Sequence, residues 1–453
     1  MSTIAAIATP NAAGGIGIIR ISGDEALTVA DKCFKAYSGQ KITDMKGYRA
    51  SYGQIFEDDS PIDEAVVIVY RAPKSYTGEN VCEICCHGGL YIMNKVLRLL
   101  FTLGAVPAEP GEFTKRAYLN GKMDLAQAES VMNIISASGE AALNAARNTL
   151  KGNVSRKIEE ICSVLITAAA GLAVWADYPD EDIPAVQTGE LRKTLVSAKE
   201  EITRLILRYD SGKAVTEGVN TVICGKPNVG KSTLMNVLSG CSRSIVTAVA
   251  GTTRDVVEET VRVGDIVLRL ADTAGIHETP DEVESIGVKM ALERMESADL
   301  ILAVFDVSRA LDKEDYSLLE NCKNKRCLGI VNKSDMEAKF TQEEIEKYIT
   351  ECVTLSAKNE ESFEKIKEKL EKILGTEGLD FTQEILAAER QYNCAKKARE
   401  CIEEAIFALD SGITADAVNV SIDSAIEELL TLTGKKAKEE IVNEVFSKFC
   451  VGK

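Results

Sequence analysis

The sequence predicts a multidomain α/β protein with an N-terminal α+β domain, an all-α helical domain, and an α/β domain inserted into the helical one. Two observations favour this class. Short β-branched strands separated by turns fill residues 1–118, whereas residues from about 124 to 213 and beyond 380 carry apolar side chains at i, i+3 and i+4. Strand–helix units alternate between the two helical stretches, which is typical of a mostly parallel sheet.

Four segments follow from this pattern. We predict an N-terminal domain over residues 1–118, the first part of the helical domain over 119–216, the inserted domain over 217–377 and the second helical part over 378–453. The stretches SGKAVTEG and LGTEGLDF flank the insertion. Both are polar and contain glycine, as expected where a domain is inserted at an exposed loop.

Composition restricts the class of protein. The net charge of −17 disfavours indiscriminate nucleic-acid binding, which requires a basic surface. Thirteen cysteines are scattered along the chain, and the first residues lack the basic region of a secretory signal. The longest apolar run, Val164–Ala176, has 13 residues and is too short to span a bilayer. We therefore expect a cytoplasmic protein with reduced thiols and no membrane segment.

A phosphate-binding loop lies in TVICGKPNVGKST. Residues Gly225–Ser232 fit the pattern GxxxxGK[ST] between an apolar strand and an amphipathic helix. The backbone N–H groups of such a loop surround phosphate oxygens. Lys231 would reach the β- and γ-phosphates, and the Ser232 hydroxyl would ligate Mg²⁺.

Three further segments complete a guanine-nucleotide site. In LRLADTAG, Asp272 can hold Mg²⁺ through water, and the N–H of Gly275 can meet a γ-phosphate. In LGIVNKSD, the Asp335 carboxylate can accept both N–H donors on the guanine edge, where adenine presents an acceptor. VTLSAKN supplies Ser356–Lys358 for the guanine carbonyl. Together the four segments predict a Ras-like P-loop GTPase domain.

Two departures concern the hydrolysis step. Ile276 stands where Ras-like GTPases have a glutamine that orients the attacking water. The segment IVTAVAGTTRD contains no obvious arginine finger, and we interpret Arg254 as structural. Another group must therefore orient the water, and a partner's arginine or a monovalent cation must neutralise the developing charge.

Two N-terminal motifs have competing interpretations. GGIGIIR lacks the third glycine of a dinucleotide fingerprint, which argues against dinucleotide binding. CEICCHGG has the spacing of zinc ligands, but an alternating strand would direct Cys85 and Cys86 to opposite faces. We therefore favour buried strand thiols over a metal-binding regulator.

The motifs also resemble those of one family. GKPNVGKST, TAVAGTTRD, DTAGIHETPDEVESIG, GGIGIIRISG, SYTGENVCE, NGKMDLAQAE and the terminal FCVGK are similar to the MnmE (TrmE) family of tRNA-modification GTPases, over effectively the whole chain. The resemblance implies a homodimer activated by potassium when its GTPase domains dimerise. It also implies a heterotetramer with an FAD-containing MnmG-type partner. That complex would add a carboxymethylaminomethyl or aminomethyl group at C5 of the tRNA wobble uridine, with carbon from 5,10-methylenetetrahydrofolate and 5-formyltetrahydrofolate as an analogue.

Site residues follow from the resemblance by position. Glu284 would orient the catalytic water through a second water, Ser232 and Thr253 would hold Mg²⁺, and His277 stands where the family often has arginine. The implied potassium ligands are Asn228, Thr247, Val249 and Thr252. The implied GTP contacts are Asn228, Val229, Gly230, Lys231, Ser232, Thr233, Thr247, Ala248, Val249, Ala250, Gly251, Thr252, Thr253, Asp272, Thr273, Ala274, Gly275, Asn332, Lys333, Asp335, Ser356, Ala357 and Lys358.

The implied folate contacts are Arg20, Glu83, Lys122 and Lys453. Position near the end of the chain would by itself make the FCVGK thiol a frayed side chain. The resemblance instead makes Cys450 a nucleophile or general acid in one-carbon transfer, with the tail reaching the folate pocket of its own or a partner N-terminal domain. The alternative function is an Era/Der-type switch GTPase in ribosome assembly, and the folate residues together with FCVGK argue against it.

Overall fold

The computed structural model describes residues 2–177, 188–241, 259–270, 295–359, 361–380 and 383–453. Its contacts divide the chain into two compact units. The first unit comprises Met1–Met132, Ser155–Ala198 and Lys397–Lys453, and the second comprises Asn133–Val154 and Lys199–Lys396. The sequence-based domain boundaries at 118/119, 216/217 and 377/378 stay predictions.

A seven-stranded sheet forms one side of the first unit. Its strands are β1 (Ile4–Ile7), β2 (Ile16–Ser22), β3 (Phe34–Ala36), β4 (Arg49–Glu57), β5 (Ser60–Tyr70), β6 (Val81–His87) and β7 (Val106–Pro107). They lie in the order β3-β4-β5-β6-β2-β1-β7, and only the β1–β7 pair is parallel. Because successive side chains alternate between faces, Ile19, Val67 and Ile84 are fully buried on one of them. Helices α1 (Ala26–Asp31) and α2 (Leu90–Thr102) pack on the sheet.

The opposite face of this sheet is partly exposed. The register aligns Tyr52, Val66, Cys85 and Ile18 in one row across four strands. Tyr52 and Val66 are 52% and 37% exposed, which is unusual for large apolar side chains within a sheet. The adjoining row contains Glu83 opposite Arg20, so two of the predicted folate contacts border this open apolar row.

The helices of the first unit give it a second core. They include α3 (Glu112–Leu119), α14 (Ala415–Thr433) and α15 (Glu439–Ser447), with most of α4 (Leu125–Ser136), α6 (Asn153–Asp177) and α13 (Glu389–Asp410) and part of α7 (Thr188–Leu207). Leu125, Phe446 and Phe449 are buried in one cluster. Helix α14 ends at Gly434 (φ 87°), whose carbonyl accepts a hydrogen bond from the Tyr118 hydroxyl at 2.7 Å.

The second unit contains a six-stranded sheet in the order β13-β12-β11-β8-β10-β9. Its strands are β8 (Val219–Cys224), β9 (Glu259–Val263), β10 (Ile266–Leu270), β11 (Leu300–Asp306), β12 (Cys327–Asn332) and β13 (Glu351–Thr354). All neighbours are parallel except β9 and β10. Every residue of β11 and β12 is buried, as expected of parallel strands covered on both faces.

Helices accompany this second sheet. They are α5 (Glu140–Leu150), α8 (Tyr209–Thr216), α9 (Lys231–Cys241), α10 (Lys313–Cys322), α11 (Gln342–Glu346) and α12 (Glu361–Leu374). The predicted fold class, a mixed α/β chain with an α+β part, a helical part and a P-loop part, is confirmed. Among the described residues, no helix is both long and apolar enough to cross a membrane.

Candidate functional site

The phosphate-binding loop connects β8 to α9, as the motif requires. Gly225, Asn228 and Gly230 have φ angles of 146°, 63° and 104°. These values lie in the region that glycine tolerates best and asparagine tolerates better than most residues. A Cβ at Gly230 would overlap the Asn332 side-chain nitrogen, and one at Gly225 would overlap the Val304 carbonyl. Both motif glycines are therefore required by conformation and by close packing.

Lys231 has no anionic partner among the ion pairs of the described residues. Its Nζ donates to the carbonyls of Gly225 at 2.7 Å and Lys226 at 2.8 Å. Burial lowers the pKa of the Lys231 ammonium, and the positive charge of Arg309 lowers it further. A half-buried cation held by neutral carbonyls fits an anionic ligand, because phosphate oxygens would compensate its lost hydration.

The phosphate loop and the base-binding loops meet at Asn332. Its Nδ2 donates to the carbonyl of Val229 at 2.8 Å, and its Oδ1 accepts from the N–H of Ala357 at 2.9 Å. The Val229 side chain is fully buried in the sheet core, so this loop position contributes packing as well as backbone. Three segments that are far apart in the sequence are thus joined by one buried amide.

Asp335, the carboxylate predicted to bind guanine, follows the carboxyl end of β12. A hydrogen bond from the Ser356 hydroxyl is the largest cause that lowers the pKa of the Asp335 carboxyl, and Lys358, 3.6 Å away, adds to it. The carboxylate therefore stays ionised throughout the neutral range and can only accept hydrogen bonds.

Lys333, between these two residues, is positioned by a carboxylate that the sequence analysis did not single out. Its φ is 65°, and its Nζ lies 2.6 Å from Asp306 Oδ2 at the end of β11. Burial opposes ionisation of Asp306, but hydrogen bonds from Lys333 and Ser308 outweigh it and lower its pKa. The signal that could have identified Asp306 from the sequence is its position at the carboxyl end of an apolar strand.

Several predicted nucleotide and metal contacts lie outside the described residues. They are Thr247, Ala248, Val249, Ala250, Gly251, Thr252, Thr253, Asp272, Thr273, Ala274, Gly275, Ile276, His277 and Glu284. Of the proposed metal ligands, Ser232 and Asn228 are described, and both are exposed residues of the phosphate-binding loop. Their assignments stay predictions.

A second group of predicted residues meets on the seven-stranded sheet. The Arg20 guanidinium donates to Glu83 Oε1 at 2.8 Å from both Nε and Nη2. Its centre lies 5.6 Å from the ring centroids of Tyr76 and of Phe113. A cation, a carboxylate and two aromatic rings therefore share one partly buried location.

The C-terminal tail docks beside this group. Arg20 Nη1 donates to the Gly452 carbonyl at 3.3 Å, and the N–H groups of Gly111 and Phe113 donate to the carbonyls of Cys450 and Lys453 at 3.3 and 3.2 Å. Burial lowers the pKa of the Lys453 ammonium, the charge of Arg20 adds to this, and Glu83 opposes it. The tail thus packs on the N-terminal residues of its own chain, with the Cys450 side chain exposed.

Lys122 contacts the same region from another direction. Its exposed Nζ donates to the Pro73 carbonyl at 3.1 Å, on the loop that also carries Tyr76. A buried ion-pair network secures this loop, because Arg116 is 3% exposed and donates to Glu79 at 3.1 Å. These supporting side chains were not predicted from the sequence, although Tyr76 and Glu79 belong to the motif SYTGEN.

The CEICCH segment forms strand β6. Cys82 and Cys86 are buried on its core face, whereas Cys85 lies on the opposite face, as alternation predicts. Burial raises the pKa of the Cys86 thiol to about 11. His87 instead pairs with Asp63 at 2.6 Å through its Nδ1. Over the described ranges no group of metal-ligating side chains is assembled.

The parallel sheet with these loops at the carboxyl ends of its strands is that of a P-loop GTPase. Family models match in two parts: the GTP-binding protein TrmE N-terminus over residues 3–122 and the MnmE helical domain over residues 125–450. The chain therefore belongs to the MnmE family of tRNA modification GTPases.

Curated relatives match this chain along its full length. Proteins described as tRNA modification GTPase MnmE from Natranaerobius thermophilus and Clostridioides difficile are each 40% identical, over 100% of this chain and 99% of theirs. A third, from Lactobacillus acidophilus, is 40% identical over 100% of this chain and 98% of its own. Among solved structures, the G domain of the T. maritima FeoB iron transporter shares 23% identity, covering 34% of this chain and 98% of its own. Its TM-score of 0.26 is too low to add to the assignment.

Proposed function

We propose that this chain is a potassium-activated GTPase that acts with an FAD-containing MnmG-type partner in tRNA modification. The complex would add a carboxymethylaminomethyl or aminomethyl group at C5 of the wobble uridine, with carbon from a one-carbon tetrahydrofolate. The observation that carries the proposal is the presence, in one chain, of a guanine-nucleotide site and of a separate cation–carboxylate–aromatic group beside a docked cysteine-containing tail.

The described residues fit GTP. Lys231 supplies a partly desolvated cation for the phosphates. Asp335 supplies hydrogen-bond acceptors for the guanine base, and a hydrogen bond from Ser356 holds that carboxylate. Mg²⁺ would be held by Ser232 and Thr253. Potassium would be held by Asn228, Thr247, Val249 and Thr252. The two cations would supply positive charge around the phosphates, in place of an arginine finger.

The N-terminal group fits a folate. Tyr76, which is only partly buried, offers an apolar face for a flat heteroaromatic ring, and Glu83 offers acceptors for its N–H donors. Arg20 and Lys453 offer positive charge for the anionic glutamate tail. A one-carbon tetrahydrofolate would supply the methylene carbon. Cys450, exposed on the docked tail, would provide the thiol for the transfer step.

The open row on the seven-stranded sheet supports a homodimer. Tyr52, Val66, Cys85 and Ile18 form an apolar strip that is continuous with the Arg20–Glu83 pair. A second copy of this chain seated there would bury the strip and enclose the folate group. Association with the FAD-containing partner and the cytoplasmic location, where tRNA is modified, belong to the same proposal.

Nucleoside analysis tests the function directly. We expect tRNA from cells lacking this protein to lose the C5 modification of the wobble uridine, and a plasmid copy to restore it. Normal modification in the deletion strain, accompanied by accumulation of immature ribosomal particles, would instead support an Era/Der-type switch GTPase.

The potassium assignment gives a separate prediction. Replacing K⁺ by Na⁺ at equal ionic strength should slow GTP hydrolysis at least about tenfold, because arginine fingers contribute roughly 10³–10⁵ in rate and a cation in their place should supply a sizeable share. Sodium is smaller and fits a potassium-sized oxygen cage poorly. Steady-state phosphate release in the two salts measures this effect, and equal rates would contradict the assignment.

A further inference from the structure

Lys226, the second residue of the phosphate-binding loop, extends away from the nucleotide site. Its side chain is 10% exposed, and its Nζ forms ion pairs with three carboxylates at the start of α10. It contacts Asp312, lies 3.0 Å from Asp315 Oδ2, and lies 3.6 Å from the exposed Glu314. Asp315 is only 5% exposed, so the Lys226–Asp315 pair is largely removed from water.

The carboxylates that receive Lys226 are themselves held rigidly. Asp312 caps α10, because its Oδ1 accepts from the N–H groups of Glu314 at 2.9 Å and Asp315 at 3.4 Å. Asp315 Oδ2 accepts in return from the N–H of Asp312 at 3.1 Å. This reciprocal capping box fixes both carboxylates relative to the helix. The hydrogen bond from Lys226 is the largest cause that lowers the pKa of Asp312.

The main chain of the same residue contacts the nucleotide machinery. The Lys226 carbonyl accepts a hydrogen bond from Lys231 Nζ at 2.8 Å, alongside the Gly225 carbonyl at 2.7 Å. Lys226 therefore links the start of α10 to Lys231, the lysine predicted to bind the phosphates. The motif leaves this position open, because loop x positions serve through their backbone.

We propose that Lys226 is a positioning residue that sets nucleotide affinity by clamping the phosphate-binding loop to the capped start of α10. Without the clamp, the loop would have to be ordered by the nucleotide at each binding event, which lowers affinity. The clamp orders the loop before binding, so it stabilises the ground state and the transition state alike. Such an effect changes affinity and KM and leaves kcat nearly unchanged.

The experiment uses the full chain and fluorescent GDP and GTP analogues. Lys226→Met should weaken both nucleotides about tenfold while kcat at saturating GTP stays within about twofold, because uniform binding is what is lost. Lys226→Arg should keep the parent affinity. The matched control is Lys323→Met, which removes an exposed pair with Glu320, 3.5 Å apart, at the other end of the same helix. This control should change neither the nucleotide affinities nor kcat.

A double-mutant cycle distinguishes loss of the Lys226–Asp315 interaction from a general loss of stability. Asp315→Asn should also weaken both nucleotides, and Lys226→Met combined with Asp315→Asn should be no weaker than the worse single variant, because both remove one interaction. Two results would overturn the proposal. In the first, Lys226→Met lowers the melting temperature but leaves both nucleotide affinities within about twofold of the parent. In the second, the losses of affinity in the two single variants multiply in the double variant.

Discussion

Cys450→Ser is expected to stop tRNA modification while GTP hydrolysis continues at the parent rate. The thiol lies on the tail that docks beside Arg20, whereas the phosphate chemistry is predicted to involve residues 225–284. A thiolate is a far stronger nucleophile at neutral pH than a hydroxyl, so serine preserves size and removes the chemistry. We expect at least about a hundredfold loss of modification rate, since nucleophilic groups cannot be replaced by weaker ones without a large penalty.

The measurement is nucleoside analysis in cells that carry only the variant, with phosphate release from the purified protein in parallel. Cys401→Ser, which changes another incompletely buried thiol of the same unit, is the control and should modify tRNA normally. Full modification by Cys450→Ser would show that the Cys450 thiol takes no part in carbon transfer. Loss of GTP hydrolysis as well would show that the tail acts on the GTPase and not on carbon transfer.

Asp335→Asn is expected to weaken GTP binding by at least about a hundredfold, because replacing an acceptor by a donor leaves polar groups of the base unpaired. A hydrogen bond from Ser356 lowers the pKa of this carboxyl below its already acidic ordinary value, so Asp335 is ionised at neutral pH in the parent protein. The amide of asparagine presents N–H groups to the guanine amino donor. Affinity for xanthosine triphosphate should rise, since xanthine has a carbonyl acceptor at the position of that amino group.

Competition between GTP and xanthosine triphosphate for a fluorescent nucleotide measures both effects. Asp265→Asn, a change at an exposed aspartate in the turn between β9 and β10, is the matched control and should bind GTP like the parent. An Asp335→Asn variant that kept its preference for GTP would place guanine recognition elsewhere in the chain.

Local patterns predicted much of this protein because their causes are local. The strand–loop–helix of the phosphate site follows from Gly225, Gly230 and Lys231, since φ angles and backbone N–H groups need only neighbouring residues. The alternation in CEICCH likewise predicted that Cys85 and Cys86 lie on opposite faces of the strand, and the structure shows which of these faces is the core. The roles of Arg20, Glu83 and Cys450 came from the resemblance, because an isolated charge or thiol has no local signature.

The amino-acid sequence by itself determined the fold class, the order of the nucleotide motifs and the family. Each of these depends on short stretches in which apolar residues recur periodically or motif residues have a fixed spacing. Only the tertiary structure decided which distant side chains meet. Asn332 joins two loops, Lys226 reaches α10, and the tail docks at Gly111. Such contacts depend on strand order and helix packing, which bring together residues far apart in the sequence, and no local pattern in the chain encodes them.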